Sequence, residues 1–283
     1  MKRKFLLAFA ALVFLYFSAS ASADVIDPYD AISAPPGTFA LFSYFGQLHL
    51  PDIADNNGDK SDLGYDQSYM ALRPVYFMGK IADRMSYGLN AYIPFAHVGL
   101  DGANNEFGLG DIAISPFIYL YENPDSKLYL SLWEFIFMPT GNFDENNAVN
   151  LGRDAWWFQH QIAFGWYPNK FGMDFNINYF QFTESDIMKY DEPDAIELET
   201  VVHYGITDKF RVGINAAYWI GMDDAAYDGV TGSDSEPMNI KLGLNFSYCL
   251  TEQFIAGIRW MHDIDSENYP TGDWVYVRLV YIF

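Results

Sequence analysis

A single cysteine, Cys249, stands in a chain of 283 residues, so no internal disulfide can form and no thiolate cluster can hold a metal. Its expected place is a small packed or lumen-facing position. Basic residues are scarce: 16 Lys and Arg face 37 Asp and Glu, a formal charge of −21. So acidic a chain cannot neutralise phosphate backbones, which excludes nucleic acid as a partner. No run of eighteen apolar residues follows residue 23, so no inner-membrane helix is expected. Phosphate-cradling glycine motifs and paired histidines at helical spacing are also missing, and no cofactor or resident metal is expected.

What is present begins with a secretory signal. Lys2, Arg3 and Lys4 form the charged region, Phe5 to Phe17 the apolar stretch, and Ala21-Ser22-Ala23 the small-residue cleavage site. No cysteine lies near that site, which excludes a lipoprotein anchor. Removing residues 1–23 takes away three positive charges and no acid, so −21 becomes −24. The rest is apolar without being continuous: 51% hydrophobic and 18% aromatic, spread as alternation. The last strand shows the pattern best, with Val275, Val277, Leu279, Tyr281 and Phe283 at every second position. Period two suits a strand with one face in lipid and the other toward a lumen. A terminal aromatic on such a strand resembles the signature read by the outer-membrane barrel assembly machinery, an expected partner.

Twelve strands are expected, near residues 37–49, 65–80, 84–98, 107–121, 127–139, 153–168, 171–184, 194–207, 210–222, 237–250, 253–265 and 272–283. The fold class is thus all-β: a transmembrane antiparallel barrel over 37–283, preceded by an irregular periplasmic or lumenal segment over 24–36. Short turns alternate with long loops, so periplasmic termini put every short turn on one side. The strand faces divide cleanly. Ile196, Leu198, Val202 and Tyr204 oppose Glu197, Glu199 and His203, and Asp174, Asn176 and Asn178 oppose Phe175, Ile177 and Tyr179. Charge on the lipid face costs ~2–4 kcal/mol at mid-membrane, so the charged faces belong to the lumen. Trp156, Trp166, Tyr218 and Trp274 fit interfacial girdles. Strands 37–49 and 127–139 are apolar on both faces and leave their orientation open.

A second pattern runs through Gly108-Leu109-Gly110-Asp111-Ile112, Pro139-Thr140-Gly141, Asn150-Leu151-Gly152-Arg153 and Trp157, and closes with Trp260, His262, Pro270 and Gly272-Asp273. From about residue 108 onward the chain resembles the meta-pathway phenol degradation family of exported outer-membrane transporters. The resemblance implies uptake of small, often aromatic or hydrophobic compounds and brings no catalytic residues. Its glycines and prolines fit turn and bulge positions.

Alternation places Arg73, Arg84, Arg211, Lys241, Arg259 and Arg278 on a basic lumen wall. Asp111, Glu134, Asp174, Glu197 and Glu199 fall on an acidic wall opposite. Either these walls set a transverse field across an open polar pore, or they pair and close it. With Glu134 inward, Leu130, Leu132, Ile136 and Met138 would join Tyr69, Val75, Phe77, Phe117, Tyr119 and Trp219 in a greasy strip. The expected function is passive uptake of small, hydrophobic or aromatic molecules through the outer membrane of a Gram-negative-type bacterium. Lipid, lipopolysaccharide and a small solute are the expected partners. One alternative is a surface-exposed binding or structural barrel whose acidic loops hold Ca²⁺ or Mg²⁺. Asp55, Asn57, Asp59, Ser61 and Asp66 have the spacing of a calcium loop, but Lys60 stands where glycine is needed. The other is an outer-membrane lipid hydrolase, although none of the five histidines has Ser two residues later.

Overall fold

A computed structural model of the chain describes residues 26–82 and 84–283; the expected export signal lies outside them. Twelve antiparallel strands carry the fold. They are β1 (Phe39–Ala54), β2 (Lys60–Ile81), β3 (Met85–Leu100), β4 (Asn105–Leu109 continuing as Ala113–Asn123), β5 (Leu128–Phe137) and β6 (Trp157–Trp166). The second half comprises β7 (Phe171–Phe182), β8 (Ala195–Gly205), β9 (Phe210–Gly221), β10 (Met238–Cys249), β11 (Phe254–Glu267) and β12 (Pro270–Ile282). Each pairs with its chain neighbour, and β1 pairs with β12, so the sheet closes on itself without an edge. Phe39, which opens β1, and Phe283, which follows β12, sit together at the short-turn end of the seam, where the Phe283 amide donates to the Phe39 carbonyl.

The alternation works as a sorting rule along β8. Glu197, Glu199, Val201 and His203 are buried inside, whereas Leu198, Val202 and Tyr204 are exposed outside. The same holds for β10, with Asn239, Asn245 and Ser247 in and Leu242, Leu244, Phe246 and Tyr248 out. An apolar exterior of this kind is what lipid demands.

Three features differ from the sequence expectations. First, β1 and β2 run well past Pro51, because a register shift between His49 and Asp52 absorbs the proline as a bulge. The acidic stretch after it shrinks to a tight turn, where Asp55 Oδ1 accepts from the amides of Asn57 and Asp59. Second, β5 faces the other way. Trp133, Phe135 and Phe137 are buried inside, and Glu134 lies outside with its carboxylate 2.6 Å from His160 Nδ1. Leu130, Leu132, Ile136 and Met138 alternate with the buried aromatics and leave the greasy strip. Stacking bulky rings inward outweighs burying one carboxylate, because His160 compensates Glu134 on the outer wall. Third, Trp274 leaves the expected girdle and points into the lumen, where Lys241 Nζ lies 4.0 Å from its ring centroid.

Candidate functional site in the lumen

Two structures fill the barrel. The first is a ladder of rings on β4 to β7. Phe182 stacks on Trp157 at 6.0 Å between centroids, and Trp157 on Phe137 at 3.4 Å. The ladder continues through Phe135 and Trp133 to Phe117, which lies 4.1 Å from Trp133. Phe117 then meets Tyr119 edge-on. The run therefore descends from the long-loop end almost to the short turns. Alternation on adjacent strands makes it, since directly opposed inward residues are the closest side chains in an antiparallel sheet.

The second structure is the N-terminal segment, which lies in the lumen over residues 26–36 and leaves it at Gly37. It has no helix or strand of its own, so its polar backbone groups need partners from the wall. The Ile26 carbonyl accepts from Asn215 Nδ2 at 2.9 Å and Arg259 Nη1 at 3.1 Å. The amides of Tyr29 and Ala31 donate to the two oxygens of Asp174 at 3.0 and 3.2 Å. Tyr119 Oη donates to the Ile32 carbonyl at 3.0 Å, joining the ladder to the segment. Arg278 holds both acids of the segment: its Nε lies 3.2 Å from Asp27 Oδ2, and its Nη1 bonds Asp30. Tyr29 sits under the Arg211 guanidinium, 4.3 Å from ring centroid to Cζ, and edge-on to His203. Gly165 makes the fit possible, because a Cβ there would stand 2.8 Å from the Ala31 side chain.

The residues read from the sequence as lumen walls fall into three groups. Arg73, Arg211, Lys241, Arg259 and Arg278 share the inward face with Asp174, Glu197 and Glu199, and the segment runs between the two sets. Arg84 does not join them: β3 starts one residue later, and Arg84 stays exposed in the turn. Glu134 is on the outer wall, paired with His160. Asp111 is buried but occupies a break in β4 between Leu109 and Ala113, where the amides of Gly141 and Arg153 each donate to it at 2.9 Å. Sequence reasoning did not identify Asp27 or Asp30, which carry no periodic signal. His203, read beside Glu199, lies 3.5 Å from Asp174 instead.

The break in β4 gathers the glycine motifs. Gly110, Gly141 and Gly152 meet so closely that a Cβ on Gly141 would stand 2.6 Å from Gly152 Cα. They bring Arg153 over the top of the ladder, 5.3 Å from Trp157 and 4.9 Å from Phe182, where it pairs with Glu192 of the loop after β7. Burial pushes the Glu192 carboxyl above the usual carboxylate range, and the Arg153 guanidinium draws it back. Among the described residues, no group of three or more His, Cys, Asp or Glu is arranged to hold a metal ion.

Residues 52–279, including all these motif positions, match the model of a family described as the MetA-pathway of phenol degradation. The chain belongs to this phenol-degradation family. A crystal structure of an outer membrane channel from Pseudomonas putida F1 superposes with a TM-score of 0.84 at 19% identity, covering 92% of this chain and 100% of that one. The NanC porin gives a TM-score of 0.49 at 9% identity over 86% and 98% of the two chains. A TodX monoaromatic hydrocarbon channel gives 0.47 at 8% over 89% and 90%. No curated protein sequence matches. This member of the phenol-degradation family is an outer-membrane β-barrel of twelve strands.

Proposed function

We propose that this barrel admits small hydrophobic or aromatic molecules across the outer membrane by passive diffusion. The ring ladder from Phe182 to Tyr119 carries the reading. A lumen that only needed filling would serve with aliphatic side chains. A line of flat faces gives a planar solute successive stacking positions of similar energy, each worth ~0.5–1.5 kcal/mol beyond area burial. Similar, modest wells favour passage over capture. Membership of the phenol-degradation family agrees with such a solute. The N-terminal segment stands at the foot of the ladder and must shift or thin for a solute to leave. The short turns face the periplasm in this reading. Lipid and lipopolysaccharide surround the outer wall, and the barrel assembly machinery inserts it. The reading makes the protein a conduit and assigns it no catalytic step.

Reconstitution in liposomes tests this. Entry of toluene or benzyl alcohol faster than into empty vesicles, reduced when Trp133 and Trp157 are replaced by Ala, is the expected result. Aromatic entry equal to that of empty vesicles, from barrel shown folded by its heat-modifiable gel mobility, would remove the proposal.

A further inference from the structure

The charges around the segment are not evenly matched. Arg278 engages two carboxylates, Asp27 and Asp30. Arg73 of β2 makes no ion pair with any described carboxylate, and its Nε is buried without a hydrogen-bond partner. Asp30, whose charge it feels, is already bonded to Arg278. Aromatic faces surround the guanidinium instead: Cζ lies 5.8 Å from the centroid of Phe42, 5.2 Å from Trp133 and 5.5 Å from Phe135. Ring faces attract a cation but accept no directional hydrogen bond from Nε, which stays without an acceptor.

Two more unsatisfied groups lie on the same face. Asn90 is 2% exposed, with neither its amide nitrogen nor its oxygen hydrogen-bonded, and Ser115 is fully buried with a partnerless hydroxyl. The register places Asn90 opposite Ser115 and also opposite Val75, two residues along the inward face from Arg73. A polar strip thus runs across β2, β3 and β4. The stacked pair Phe117 and Trp133 flanks it. A ligand supplying oxygen acceptors would take the protons that Arg73 Nε, the Asn90 amide nitrogen and the Ser115 hydroxyl hold without a partner.

We propose that Arg73, with Asn90 and Ser115, forms a subsite for the carboxylate of a small aromatic acid whose ring rests on the Phe117–Trp133 stack. This deepens the uptake reading and rests on it, adding a negative charge to the solute. A planar carboxylate matches the guanidinium fork, and the Asn90 amide and Ser115 hydroxyl supply further donors. A neutral arene satisfies the rings but leaves Arg73 Nε without an acceptor. A small aliphatic anion does the reverse. The subsite therefore prefers the molecule that carries both.

The test uses the full barrel with benzoate, benzyl alcohol and acetate as probes, following tryptophan fluorescence for binding and liposome entry for flux. Benzoate should bind saturably, and Arg73→Gln should weaken it roughly tenfold or more. Arg73→Lys, which keeps the charge but loses the fork, should restore part of that loss. Benzyl alcohol should change less than about twofold in either variant, and acetate should not displace benzoate at matched concentration. Equal losses for benzoate and benzyl alcohol, or acetate competing as well as benzoate, would overturn the subsite. If Arg73→Gln does not yield folded barrel, the wild-type ranking decides, and no preference for benzoate overturns it. Benzyl alcohol flux without Arg73-dependent benzoate binding removes the subsite and leaves the uptake reading. Arg73-dependent benzoate binding without flux of any arene does the opposite.

Discussion

In the long-loop half of the lumen side chains meet ring to ring, from Phe182 through Trp157 to Phe137. In the short-turn half, beside the foot of the ladder, they also meet charge to charge, with Arg278 on Asp27 and Asp30, and Asp174 accepts from the amides of Tyr29 and Ala31. Stacked faces are held by contacts that a visiting ring can replace in kind. Buried ion pairs are held by directional bonds, and breaking one strands a charge in a low dielectric. In the proposed reading the first half gives way to an occupant, and the second is closed until something rearranges. Both are assembled from the same twelve alternating strands, so the division comes from which inward positions are aromatic and which are ionisable.

Four substitutions test that contrast, taken from the largest expected effect to the smallest. Arg278→Met removes the partner of two carboxylates and should cost about 3–5 kcal/mol of unfolding stability. Single-channel conductance should rise as the segment loosens. Unaltered conductance and melting would mean that charge does not close this half. Trp157→Ala removes a ring stacked on both Phe137 and Phe182 and should cost about 3 kcal/mol. Ion conductance should scarcely move while arene entry falls, and the reverse pattern would merge the two halves into one. Gly165→Val removes no charge but crowds the Ala31 side chain and the Tyr167 hydroxyl that bonds Asp174. Denaturant titration should show about 1–3 kcal/mol lost, with conductance raised as in Arg278→Met. Finally, Glu134→Gln removes one charge of the pair with His160 on the outer wall and should leave conductance unchanged. Any change in ion selectivity would put Glu134 back inside.

Much of this wall is legible in the amino-acid sequence through alternation, because a strand with Glu197, Glu199 and His203 on one face has only one way to lie against lipid. Where both faces are apolar the signal disappears. On β5 the size of Trp133, Phe135 and Phe137, and a partner for Glu134 on a neighbouring strand, decide the matter. Pro51 and the acids beyond it read as a loop because a bulge leaves no trace in period two. The segment from Ile26 is the least legible part of the site. Its partners lie far along the chain, 145 residues for Tyr29 and Asp174 and 248 for Asp30 and Arg278, and no local pattern encodes such pairings.

That last pairing bears on how the molecule is made. Arg259 and Arg278 belong to the final two strands, and both grip residues that precede the first strand. Until β12 arrives at β1, neither arginine has its place and the segment has no complete seat. Bringing positions 30 and 278 together is a loop closure of nearly the whole chain, an entropic cost that zipping the β1–β12 ladder also meets. Sealing the wall and stoppering the bore are therefore one late step in biogenesis. A chain truncated before its last strand would be left both unzipped and unstoppered.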